Sequence, residues 1–240
     1  MNRWTPILLF FATILPAQCF AGQTANDTNQ ERWQRAFVLR IGVIEEKHGI
    51  KFDDQWKPTL VFEIPGDIPP QLRSKFGAQY VPESQSFMVS PAAEREMIPS
   101  LIDHELGHAL ADQISQRTGN GMWPDVEGFA RLEWDTRVGI NVISEGIGTY
   151  FEYQGNAPYP KDDAEGDAWL PEGEGDPSWR DRDYLYNGGR WLVAPIIRKF
   201  GERGIQYLVT HPLRFKDAGL RAAAREYQRL ALEQLAKEPD

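Results

Sequence analysis

One cysteine among 240 residues, and no second long apolar run after the first fifteen, set the outer limits on this chain. A single Cys leaves no intramolecular disulfide, so burial alone must hold the fold together. Positive charge is also short. The 26 Lys and Arg stand against 35 Asp and Glu, giving a net charge of −9. A surface of that sign argues against nucleic acid or anionic lipid as a partner. Histidine is scarce too, at 4, so where those four stand is informative.

The apolar run that exists is Ile7 to Leu15, well short of the roughly 20 residues a spanning helix needs. Arg3 precedes it, and Cys19-Phe20-Ala21 follows with a small-x-small pattern. That combination predicts an export signal over residues 1–21, cleaved after Ala21, and a secreted or periplasmic protein without stable membrane insertion. A lipoprotein signal centred on Cys19 is disfavoured, because Pro16 and Gln18 stand where leucine and a small residue are wanted. Residues 22–240 remain, enough for one large domain or a two-lobed one.

Periodicity predicts an amphipathic helix over about Gln30–His48, with Trp33, Phe37, Ile41 and Ile44 on one stripe and Gly49 as its stop. Pro58–Ile64 reads as a strand. Ala78–Val81 and Ser86–Ser90 read as a hairpin around Pro82–Gln85. Pro91–Arg117 is helical in composition with a break at Pro99 and Ser100, and helix resumes from Val126 to Tyr153. Residues 155–183 hold nine acids, three bases, four Gly and four Pro, which predicts a long acidic loop. It lacks an EF-hand pattern, so a solvated loop is preferred to a Ca²⁺ site. Three helical stretches close the chain, at Arg190–Phe200 with a stop at Gly201, at Gly204–Thr210 and at Leu220–Lys237. Strands followed mostly by helices argue for an α+β class, with a small N-terminal sheet and a largely helical C-terminal part.

Within Pro91–Arg117 stands His104-Glu105-Leu106-Gly107-His108, an H-E-x-x-H pattern. Chance yields it in roughly one chain in two hundred of this composition. On a helix it places two imidazoles one turn apart on one face, with a carboxylate beside them. Two neutral histidines can share one Zn²⁺ while Glu105 stays free to take a proton from water. A catalytic zinc needs a third protein ligand. The metzincin extension would need Gly and His where Ala111 and Ile114 stand, so that class is excluded. His48 and His211 lie near predicted helix ends, where histidine commonly meets terminal carbonyls. A downstream glutamate on a second helix remains, and two qualify. Glu127 stands in Val126-Glu127-Gly128-Phe129-Ala130, and Glu145 in Ser144-Glu145-Gly146-Ile147-Gly148-Thr149-Tyr150-Phe151-Glu152.

On these residues the chain resembles the gluzincin metallopeptidases, the group with aminopeptidase-N-like and thermolysin-like members. Aminopeptidase-N-like members carry the ligand glutamate 18 residues past the second histidine, in a segment similar to E-G-F-A-x-Y-x-E. Glu127 matches that spacing and the first four letters, whereas Arg131-Leu132-Glu133-Trp134 departs. Glu145 misses the spacing but keeps Tyr150 and Glu152 in register. Loop length is elastic and the packed ligand helix is not, so Glu145 is preferred, with Glu127 as the alternative. The resemblance implies a zincin-like catalytic domain over 22–240 and a zinc-dependent hydrolase of peptide or protein substrates. It also implies metal ligands His104, His108 and Glu145, with Glu105 as general base. Tyr186, in Tyr186-Asn187-Gly188-Gly189-Arg190-Trp191-Leu192-Val193, resembles a tyrosine that faces the metal and donates to the oxyanion. Tyr150, Tyr184 and His211 are weaker choices. By the same resemblance, Ser86–Ser90 would be the free edge strand that aligns substrate. The rival from another class is a zinc-holding, non-catalytic envelope binding or assembly protein, which would have no need of a base at Glu105.

Overall fold

The computed structural model describes residues 28–66, 68, 70, 77–90, 99–119, 126–153, 166–172, 183–215 and 219–237. The expected export signal, the segment 91–98 and most of the acidic stretch lie outside the described residues.

Helix α1 (Asn29–His48) begins at a capping box. The Glu31 N–H donates to the Thr28 hydroxyl, and the Glu31 carboxylate accepts from the Thr28 N–H at 2.8 Å. It ends at Gly49, whose φ of 67° turns the chain into the left-handed region and lets its N–H reach Glu45 O. The predicted stripe is buried. Phe37 stacks on Phe87 at 5.5 Å, and Trp33 lies 6.3 Å from the same ring, which seats α1 on the sheet.

That sheet has three strands in the order β1 (Thr59–Val61), β3 (Ser86–Val89), β2 (Ala78–Val81), with β1 parallel and β2 antiparallel to β3. A 3-10 turn over Pro82–Ser84 and Gln85 at φ 49° make the hairpin. The expectation of a free edge at Ser86–Ser90 is overturned. β3 is the central strand, paired on both sides, because Thr59–Val61 returns beside it in parallel. Among the described residues the edge nearest the H-E-x-x-H helix belongs to β2.

Helices α2 (Pro99–Arg117), α3 (Val126–Arg131), α4 (Trp134–Glu152), α5 (Gly189–Thr210) and α6 (Leu220–Lys237) make up the rest. α4 approaches both α2 and α5 closely because glycine stands at each of those two crossings. A Cβ on Gly107 of α2 would sit 3.1 Å from the Gly148 Cα of α4, and one on Gly146 would sit 2.5 Å from the Gly189 backbone of α5. Helix α5 breaks at Gly201 (φ 54°, ψ −127°), where the sequence predicted a stop. Pro195 inside α5 has no N–H for the Trp191 carbonyl four residues back. Gln228 of α6 supplies the missing donor, with Nε2 at 2.9 Å from Trp191 O and from Leu192 O.

The described part of the acidic stretch is not a solvated loop. Residues 166–172 are strapped to α6, with Arg221 Nε donating to Leu170 O at 2.7 Å and Nη2 to Ala168 O at 3.0 Å. Arg225 pairs with the buried Asp167. Leu170 is wholly buried beneath Gly188, so one apolar side chain anchors an otherwise polar segment.

His48 closes α1 with its ring edge-on to Tyr150 and Phe151, and its buried Nε2 has no hydrogen-bond partner. Burial, aided by Lys47, pushes its pKa down to about 4 from 6.5. The unfolded chain therefore binds the extra proton first, and this contribution to stability is lost as pH falls from about 6.5 through about 4. Replacing His48 by Phe should flatten the stability profile across that window. Urea midpoints at pH 4.5 and 7 measure it.

Candidate metal centre

Helix α2 lays its motif against α4, and the histidines are inside the protein. His104, Glu105 and His108 are 2%, 1% and 7% exposed, and Glu145 is 2%. The Gly107–Gly148 approach is what draws α4 over them.

Three ligand-type atoms converge. His104 Nε2 and His108 Nε2 are 3.1 Å apart, and Glu145 Oε2 lies 3.3 Å from the first and 3.9 Å from the second. Ligands about 2.0–2.2 Å from a tetrahedral zinc stand roughly 3.3–3.5 Å from one another. The three separations bracket that range, one shorter and one longer, and three convergent N and O donors of this kind are a set that suits Zn²⁺. Among the described residues this is the group able to hold a metal ion. The second-choice ligand Glu127 lies on α3, and its side chain is outside the described residues.

The far nitrogen of each imidazole is occupied. His104 Nδ1 is 3.3 Å from Glu152 Oε2, and His108 Nδ1 is 3.2 Å from Ser144 Oγ. With each Nδ1–H donated to those partners, both Nε2 atoms face the ligand group, the tautomer that metal binding requires. Sequence reasoning used Glu152 only as a register mark and missed Ser144. The available signal was spacing, since Glu152 lies two helical turns past Glu145 on the same face.

The electrostatics call for a cation. Burial alone would lower His104, but its hydrogen bonds to Glu145 and Glu152 outweigh that and hold its pKa up at about 10. Burial and the His104 charge push His108 down to about 4. A proton on His104 and a metal ion answer the same excess of carboxylate. Glu105 stands outside the ligand group. Burial drives its pKa up to about 8 against the pull of His104 and of the Tyr80 N–H, which donates to its Oε2 at 2.6 Å. Its Oε1 is buried without a hydrogen-bond partner.

Tyr186 sits in a single π turn (Tyr184–Gly188) that opens α5, with its ring centroid 6.0 Å from that of His104. Such turns recur where a side chain must be re-aimed. Tyr150 instead packs on His48 and Phe151, and His211 stacks on Tyr207 at the far end of α5. A surface cleft lined by Arg117, Glu202, Gln206 and His211 lies at that far end and shares no residue with the metal group.

No family model, curated protein or solved structure matches this chain.

Gly148 supplies a direct check on that geometry. A Cβ there would stand 2.7 Å from His104 Nε2 and 2.8 Å from Cε1, so Gly148→Ala must push the imidazole off its position. Zinc affinity should fall by about 10- to 100-fold, the range seen when ligand orientation is disturbed, as read by competition with a chromogenic chelator. Thr149→Ala, its neighbour, lacks that clash and should bind as the wild type does.

Proposed function

We propose that the protein is an exported zinc-dependent metallopeptidase of gluzincin type. The observation that carries this reading is the buried convergence of His104, His108 and Glu145 with a fourth group, Glu105, beside them and outside the ligand set. A purely structural zinc site has no use for a buried carboxylate left out of the ligand set, whereas hydrolysis does. His104, His108 and Glu145 would hold the ion. When bound, zinc supplies Lewis acidity, polarising a scissile carbonyl and making water easier to deprotonate.

The remaining chemistry belongs to the chain. Glu105 accepts a proton as water oxygen bonds to the carbonyl carbon, then returns it to the amine nitrogen as the C–N bond breaks. The half-buried Tyr186 phenol is the donor proposed for the developing oxyanion. The outer edge of β2, which pairs with no other strand among the described residues and gives its Tyr80 N–H to Glu105, is the place proposed for an extended peptide to add as a strand. The predicted signal over residues 1–21 would deliver this activity to the periplasm or the medium. No helix among the described residues is long and apolar enough to cross a membrane.

Elemental analysis of the purified protein after dialysis tests the metal. About one zinc per chain is expected from three convergent ligands. A protein that neither retains nor takes up zinc would sink the reading. Zinc-loaded protein inert toward a broad peptide library would favour the non-catalytic rival.

A further inference from the structure

Tyr80 is fastened to helix α2 at both of its ends. Its backbone N–H, on the side of β2 away from β3, donates to Glu105 Oε2 at 2.6 Å, and its phenol O–H donates to Asp112 Oδ2 at 2.7 Å. Residues 105 and 112 share one face of α2, two turns and about 10.5 Å apart. The Tyr80 side chain bridges that distance along the helix, and its ring is buried.

Asp112 is a costly residue to place there. It is 1% exposed, and burial drives its carboxyl upward although Tyr80 and Gln116 both donate to it. An apolar pair of similar volume would fill the space without that desolvation. The phenol–carboxylate bond instead provides direction. It fixes how far Tyr80 sits along α2, and so where the Tyr80 N–H points. Glu105 depends on that N–H, because its other oxygen has no hydrogen-bond partner.

We infer that Tyr80, held in place by Asp112, is a positioning residue that orients the Glu105 carboxylate. The inference rests on the reading of Glu105 as general base, and its structural half can be tested without turnover. The amide proton of residue 80 lies on a strand edge and owes its protection to Glu105. Residue-resolved hydrogen exchange on the full zinc-loaded chain reads it, with Glu105→Ala giving the value for a lost acceptor.

Tyr80→Phe removes only the phenol oxygen. Exchange at residue 80 should rise by about tenfold or more toward the Glu105→Ala value, while zinc content is unchanged. Asp112→Ala should do the same, and Asp112→Asn, whose Oδ1 still accepts from the phenol, should stay near wild type. Should Asp112→Ala fail to fold, Tyr80→Phe against Asp112→Asn carries the comparison. On a peptide the wild type cleaves, kcat should drop about tenfold in Tyr80→Phe with KM little changed, since orientation and not binding is lost. Wild-type exchange at residue 80 in Tyr80→Phe would overturn the inference. A wild type that cleaves no peptide defeats the peptidase reading, and the exchange comparison still decides whether Asp112 and Tyr80 hold Glu105.

Discussion

Glu105→Gln should fold, bind zinc as the wild type does, and lose peptide hydrolysis by about 10²- to 10⁴-fold, the usual cost of removing a general base. The side chain keeps its length, and its carbonyl oxygen can still accept from the Tyr80 N–H at the position Glu105 Oε2 holds. What disappears is the capacity to take a proton. Because Glu105 is not among the three convergent ligands, metal content separates the two roles that H-E-x-x-H combines. Loss of turnover with full zinc occupancy assigns Glu105 to chemistry. Undiminished turnover at full occupancy would remove it from the mechanism. Loss of zinc would move it into the ligand set.

The site was legible in the sequence wherever one helix carried it. His104 and His108 stand one turn apart on α2, which fixes their common face irrespective of the rest of the fold, and Glu105 follows beside them. Elements were legible where local chemistry terminates them. Gly49 and Gly201 end helical segments as predicted, and the Pro82–Gln85 hairpin stands where turn residues marked it. Order in the sheet was not legible, because three-residue β1 could pair with either side of the hairpin and its choice of β3 made β2 an outer strand among the described residues. Burial of the metal group was hidden for a related reason. Gly107 and Gly148 contribute nothing to a hydrophobic stripe, yet their lack of side chains lets α4 close over the histidines. The strap at 166–172 escaped notice because one leucine and two arginines on a distant helix secure it, with no period to betray them. Ser144 and Tyr80 act through contacts with residues far along the chain, which spacing arguments do not reach.

Glu145→Ala should abolish stable zinc binding, and Glu127→Ala should leave it intact. Removing the Glu145 carboxylate strips the site of its anionic ligand and leaves two imidazoles 3.1 Å apart at Nε2. The cation would then sit in a buried site with its charge uncompensated. Glu152 cannot substitute, since its carboxylate serves His104 from the Nδ1 side. The loss should be visible as metal-free protein after dialysis and as disappearance of the zinc-dependent rise in melting temperature. Alanine is the stricter replacement, because a glutamine carbonyl would still coordinate weakly. Glu127 belongs to the short helix α3, and with Glu145 as the ligand its replacement should behave as a surface substitution does, shifting stability by no more than about 0.5 kcal/mol. Its 18-residue spacing from His108 is the rival claim, and the pair of variants sets that spacing directly against the Glu145 geometry. Zinc retained in Glu145→Ala and lost in Glu127→Ala would keep the H-E-x-x-H helix as the metal site. It would also show that α3, not α4, supplies the third ligand, so that the closeness of Glu145 to His104 reflects an ion pair alone.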